Sequence, residues 1–158
     1  MSIRRPRFAI AALLWLICGV AVSAFGAAGT VLDLATFAQS KVDIGKPPRQ
    51  QHFDVWIADT PERQTQGLMY VRDLPASRGM LFLEPEARPT AFWMKNTYIE
   101  LDMLFIAPDH RIAKIAARAT PLSLATINSD APVIAVLEIK GGEAERRGIR
   151  VGDRIAWP

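Results

Sequence analysis

Two dense apolar runs, residues 90–94 (TAFWM) and Leu101–Ile106 (LDMLFI), flank a polar knot, Lys95-Asn96-Thr97. Apolar side chains fall on successive positions in both runs. That is the pattern of a strand covered on both faces, not of a strand with one wet face. The pattern predicts a core hairpin whose connector carries the charge and the amide. Residues 53–58 alternate instead, with Phe53, Val55 and Ile57 on one face. Residues 79–83, 111–117, 133–139 and 154–157 also read as strands. Ala107-Pro108-Asp109-His110 is a turn that joins the second apolar run to 111–117. Residues 31–39 are a first strand or a loose lead-in.

The breaks are as informative as the runs. Pro47-Pro48 cannot sit inside a sheet, and Glu84-Pro85 is expected to end the strand over 79–83. Thr60 suits a helix N-cap, Pro61 the first helical position and Glu62 the first turn, so a short helix is predicted over Pro61–Gln66, stopped by Gly67. Residues 143–147 predict one more helical turn before Gly148. Residues 74–79 and 120–130 read as loops. Six to eight short strands with little helix and no repeat predict a mostly β fold. Its form would be a compact antiparallel sandwich or barrel with one or two short helices.

The N-terminus does not belong to that fold. Arg4, Arg5 and Arg7 precede an apolar stretch over 9–22, and small residues follow from Ser23 to Ala28. That order matches a secretory signal. The expected division is a signal peptide over 1–28 and a single β-rich domain over 29–158. The alternative is an uncleaved anchor, since residues 8–28 are long enough to span a bilayer. Either way the arginines stay on the cytoplasmic side. The domain is then periplasmic or secreted, or held on the outer side of the cytoplasmic membrane. An uncleaved N-terminus would be its only membrane contact.

This division changes the charge balance. The chain has 19 Lys+Arg and 16 Asp+Glu, and three of the arginines lie in the leader, so residues 29–158 balance 16 cations against 16 acids. Nucleic acid is therefore not an expected partner. The only cysteine, Cys18, also lies in the leader. A thiol nucleophile, a disulfide and a cysteine metal site are excluded from the domain.

Lys95, Asn96, Asp102 and Glu138 stand in or beside apolar segments, where an unpaired charge is costly. With Thr97 they are the candidate ligand-gripping cluster. The competing account is structural: Asp102 and Glu138 accept backbone N–H bonds or pair with Lys95 or Arg78. Trp93 and Tyr98 flank the connector and are the aromatics expected to be partly exposed. With Trp56, Phe82 and Phe92 they would line a sugar-binding face, or simply pack the core. Met69, Met80, Met94 and Met103 offer thioethers to Cu(I), but their spacing is that of core positions. No metal or other cofactor is expected.

Enzyme templates mostly fail. There is no Gly-x-Ser-x-Gly elbow and no His-Glu-x-x-His, and the chain has only two histidines. A carboxylate-pair glycan hydrolase using Asp102 and Glu138 stays open.

A family resemblance rests on specific pieces. These are Gly67-Leu68-Met69, Gly79-Met80-Leu81-Phe82, Phe92-Trp93-Met94-Lys95-Asn96-Thr97, Leu101-Asp102, Leu137-Glu138, and Gly148-Ile149 with Gly152-Asp153. Together they resemble the bacterial and archaeal "domain of unknown function 192" family over residues 53–155. Two positions depart from its pattern: Tyr70-Val71 stands for an aromatic-basic pair, and Glu100 precedes Leu101 where proline is common. The resemblance implies a mostly β, jelly-roll-like domain and no particular activity. The functional expectation is an exported cell-envelope domain that binds a small ligand or envelope component without catalysis. A structural or protein-interaction module of an envelope assembly is the alternative, beside the hydrolase.

Overall fold

A computed structural model describes residues Val31–Pro158. The leader predicted over 1–28 lies outside the described residues. Among the described residues no helix is long and apolar enough to cross a membrane.

The chain enters through a 3-10 turn at Leu34–Thr36. It then forms β1 (Gln39–Ile44) and β2 (Gln51–Ala58), with Pro47-Pro48 between them. Helix α1 spans Pro61–Gln66. Thr60 Oγ1 accepts the Arg63 N–H at 3.3 Å, and Gly67 ends the helix at φ 51°, as its caps predict. There follow β3 (Arg78–Arg88), β4 (Ala91–Phe92), β5 (Leu101–Ile106), β6 (Ile112–Ala119), β7 (Ile127–Asn128) and β8 (Val133–Lys140). A short α2 (Glu143–Arg146) and β9 (Ile155–Ala156) close the chain.

Seven strands form one sheet in the order β6-β5-β8-β3-β2-β1-β9, and β4 pairs with β7 in a second, small sheet. The large sheet is antiparallel except between β2 and β3, which run parallel. A parallel pair needs a crossover, and α1 with the loop after it supplies one. The sheet curls so that its two ends approach: Arg111, ahead of β6, makes a single bridge to Arg154, ahead of β9. The fold is mostly β, a curled half-barrel, as the strand pattern predicts.

Alternation along the strands makes two cores. Val42, Phe53, Val55, Leu81, Leu104, Ile106, Leu137, Ile139 and Ile155 are buried in one cluster, drawn from nearly every strand of the sheet, which places it inside the curl. Met80, Phe82, Met103, Phe105 and Val136 face the other way. Leu68, Leu74 and Met94 join them from the loops. Strands β3, β5 and β8 are thus covered on both sides, which accounts for their continuous apolar runs. Gly79 is needed where β3 meets β8, because a Cβ there would stand 2.4 Å from the Glu138 carbonyl oxygen.

Three expectations change. Residues 90–94 do not pair with 101–106, because β6 and β8 already occupy both edges of β5. The run shrinks to β4, and its side chains cover the outer core instead. Phe92 packs edge-on against Phe82 at 5.0 Å and Phe105 at 6.1 Å. Second, β3 does not stop at Glu84-Pro85. Pairing with β8 is interrupted after Leu83 and resumes at Arg88, so Pro85 lies in a bulge where its missing N–H costs no ladder bond. Third, the first strand is 39–44, after the lead-in, where only Val42 and Ile44 are buried.

Candidate functional site

A cleft of about 350 Å³ opens on the outer face of the large sheet. One wall is the end of α1 with Gly67, Leu68 and Met69. The other is the extension of β3, carrying Glu84 and Arg88, together with β4, Trp93 and Thr97. Backbone and side chain both fix the first wall. Gln64 Nε2 donates to the Leu83 carbonyl at 2.7 Å, and Gln66 Nε2 donates to the Leu32 carbonyl at 2.8 Å.

Glu138 reaches this cleft from β8. Its register partners are Met80 on β3 and Met103 on β5, both fully buried. Glu138 is itself only 4 % exposed; its carboxyl takes part in no side-chain hydrogen bond or ion pair among the described residues, and its oxygens are not fully sealed, since they open on the cleft. Burial pushes its pKa up to about 8. At neutral pH it is a neutral acid, able to donate one hydrogen bond and accept others. A carboxyl so nearly removed from water is costly to ionise without a counter-charge.

The second acid of the cleft is already matched. Glu84 accepts from Arg88 Nε at 2.5 Å and from Thr90 Oγ1 at 3.3 Å. Neither residue stood out in the sequence, where Glu84-Pro85 read only as a strand end.

Most of the remaining candidates lie on the connector between β4 and β5. Asn96 adopts φ 56°, a left-handed conformation that asparagine tolerates better than most residues. Its carbonyl accepts the Tyr70 N–H at 2.8 Å, and its Nδ2 donates to the Tyr70 hydroxyl at 3.1 Å. Lys95 places its ammonium 5.1 Å from the Trp93 ring centre. Arg72 does the same over Tyr98 at 4.8 Å, and Tyr98 meets Tyr70 edge-on at 6.3 Å. Thr97 is buried and lines the cleft. Phe82 and Phe92 line it as well, while Trp56 sits under Arg78 at 4.1 Å.

Asp102 is not part of the site. It is fully buried, and its Oδ1 accepts from the Arg118 N–H at 2.8 Å and the Gly142 N–H at 2.9 Å. Its Oδ2 accepts from the Ala144 N–H at 2.9 Å. Asp102 stands opposite Ile139, and Met103 stands opposite Glu138. Successive strand residues point to opposite faces, so the two carboxyls lie on opposite sides of the sheet. This removes the carboxylate pair a glycan hydrolase would have used. Neither acid pairs with Lys95 or Arg78, which lie over Trp93 and Trp56.

The methionines divide in the same way. Met80, Met94 and Met103 fill the outer core, and Met69 lines the cleft, 3.9 Å from Asn96 Nδ2. Among the described residues no group of three or more His, Cys, Asp or Glu could hold a metal ion. A wider depression near α2 is lined by Lys46, Arg49, Arg146 and Arg150. Glu145 and Asp153 line it as well, and Arg146 and Arg147 are already paired with Glu143 of α2.

The comparisons agree with this architecture. A solved structure from Sinorhizobium meliloti 1021, described as a "putative transcription regulator", is 43% identical, with a TM-score of 0.74. The match covers 77% of this chain and 95% of that one. A protein of unknown function from Novosphingobium aromaticivorans DSM 12444 is 35% identical with a TM-score of 0.76, over 88% of this chain and 99% of that one. No curated protein matches the chain significantly. The model of the DUF192 family, described as "Uncharacterized ACR", matches residues 43–157. The matched segment runs from β1 to the end of the closing strand and includes every residue of the cleft, and the chain belongs to the DUF192 family.

Proposed function

We propose that this chain is an exported cell-envelope domain that holds a small ligand in the Glu138 cleft without transforming it. One observation carries the reading: a buried carboxyl faces an open cleft and has no partner among the described residues. A fold that leaves such a group unmatched pays in stability, and a ligand that matches it supplies the reason. Glu84 is engaged with Arg88, so the cleft offers a single free acid, suited to recognition more than to acid–base catalysis by a pair.

The leader-like N-terminus supports export, and the balanced charge of residues 29–158 argues against DNA contact, which uses a basic surplus. The regulator description of the Sinorhizobium protein is therefore not carried over. Cell fractionation tests the location: recovery in the cytosol would contradict it.

A thermal-shift screen tests the binding, with sugars, amino acids, peptides, amines and metals including Cu(I) under reducing conditions. A ligand at ~100 times its Kd stabilises by about 2.7 kcal/mol, a shift of several degrees. A hit that disappears in Glu138→Gln is the expected result. A flat screen on folded protein would contradict the reading.

One observation favours an interaction module. Tyr70, Trp93, Tyr98, Leu122 and Leu124 are all exposed. Their loops are tied together, since Tyr70 N–H donates to Asn96 and Leu122 N–H to Thr97. Such an apolar rim suits a protein partner. That reading predicts that changing Leu122 and Leu124 to Ser releases a co-purifying protein, whereas the ligand reading predicts no change.

A further inference from the structure

We infer that the ligand of the Glu138 cleft carries a compact organic cation, an ammonium or guanidinium group, that ion-pairs with the Glu138 carboxylate. The inference rests on the ligand-site reading above and adds the chemical class.

The charges of the cleft point to it. Three charged or titratable side chains line it: Glu84, Arg88 and Glu138. Arg88 is committed to Glu84 at 2.5 Å, and the Glu84 side chain is only 4% exposed. Glu138 is the group left over. The α1 wall contributes Gln64, Thr65 and Gln66, which carry no charge, and β4 with its following loop contributes Phe92, Trp93 and Thr97. Met80 and Met103 flank the acid within the sheet. Lys95, the cation among the sequence candidates, lies over Trp93 and not on Glu138. An anionic ligand would find the one arginine of the cleft already paired with Glu84. A cation would meet one unmatched acid.

The walls agree with the charge. Phe82, Phe92 and Trp93 line the cleft, and aromatic faces attract cations. Trp93 already does so on the protein itself, holding the Lys95 ammonium 5.1 Å from its ring centre.

Burial gives binding a proton signature. Burial pushes the Glu138 carboxyl up to about 8, so at lower pH the free site is protonated. A cation that pairs with the carboxylate must displace that proton to solvent, one per ligand. Affinity for a permanent cation then rises by about tenfold per pH unit below the pKa and levels off above it. A neutral ligand would show no such rise.

The test is calorimetric titration of the full chain with 2-phenylethylamine and butylguanidine. The neutral isostere 2-phenylethanol is the control, from pH 6 to 9 and in two buffers of different ionisation heat. The expected result is binding of both cations, roughly tenfold tighter per pH unit up to pH 8. It includes one proton released per ligand at pH 6, fading toward none by pH 9, and at least a tenfold loss in Glu138→Gln at pH 8. The pH slope and the proton count are read on the unaltered protein, so they stand even if that variant folds poorly. Equal binding of 2-phenylethanol, or an unchanged affinity in folded Glu138→Gln, would overturn the inference. If both cations fail while the thermal-shift screen yields a neutral ligand lost in Glu138→Gln, the cation falls and the cleft stands. If both cations fail and that screen is flat, both fall.

Discussion

Asp102 and Glu138 lie on neighbouring strands, one register step apart, and point to opposite faces of the sheet. Asp102 is saturated by three backbone N–H donors. Glu138 has none among the described residues and opens on a cleft. One acid ties neighbouring strands and loops together, and the other opens on the cleft.

Asp102 should therefore behave as a structural residue. Asp102→Ala strands the buried N–H groups of Arg118, Gly142 and Ala144, and it is expected to cost at least ~3 kcal/mol in urea unfolding. Asp102→Asn keeps one acceptor oxygen and should fall in between. A loss under about 1 kcal/mol for the alanine variant would contradict the assignment.

Glu143 should govern acid stability. Hydrogen bonding from Arg146, joined by Arg147 and opposed by burial, holds its carboxyl down to about 2. A depressed carboxylate stabilises the fold fully above its unfolded pKa, and the gain is lost as pH falls toward 2. Arg146 stands largely in solvent, which screens the gain. Glu143→Gln should thus cost roughly 1–3 kcal/mol at pH 7, and the two proteins should converge near pH 2. Parallel curves across that range would rule this out.

Asn96 has a backbone role and a side-chain role that can be separated. At φ 56°, alanine should cost about 1 kcal/mol, whereas Asn96→Gly should keep the unfolding midpoint. Both variants lose the amide that donates to the Tyr70 hydroxyl. If Gly restores stability but not ligand affinity, the amide belongs to the site. If it restores both, Asn96 matters only as a turn.

Much of the fold is legible in local pattern. Thr60, Pro61 and Gly67 mark both ends of α1, and Phe53, Val55 and Ile57 mark the inner face of β2. Pairing is not legible in the same way. Nothing within residues 90–106 shows that both edges of β5 are taken by β6 and β8, so the apparent hairpin dissolves only in three dimensions. The site follows the same division. Lys95, Asn96, Thr97, Trp93 and Tyr98 stand out because polar or aromatic residues interrupt apolar strands; of these, Trp93 and Thr97 line the cleft, and Lys95, Asn96 and Tyr98 do not. Asp102 and Glu138 look alike in sequence, each a lone acid in an apolar run. What separates them is the register of β5 on β8 and the donors that reach Asp102, one of them 42 residues away. Glu84 and Arg88 were hidden because a proline between them looked like a stop, when it marks a bulge.

The most direct measurement is the pH dependence of stability for the natural chain and Glu138→Gln. The Glu138 pKa rises from 4.5 to about 8 on folding. Between those values the unfolded chain gives up a proton that the folded chain must keep. Stability of the natural chain therefore falls as pH rises from about 4.5 to 8, and glutamine removes that penalty. The account predicts that Glu138→Gln matches the natural chain near pH 4 and is more stable at pH 8.5, by on the order of 3 kcal/mol. A stabilising change at a cleft residue is the mark of a group kept for function. If Glu138→Gln is instead less stable at every pH, the carboxyl supports the fold and the ligand site proposed here loses its anchor.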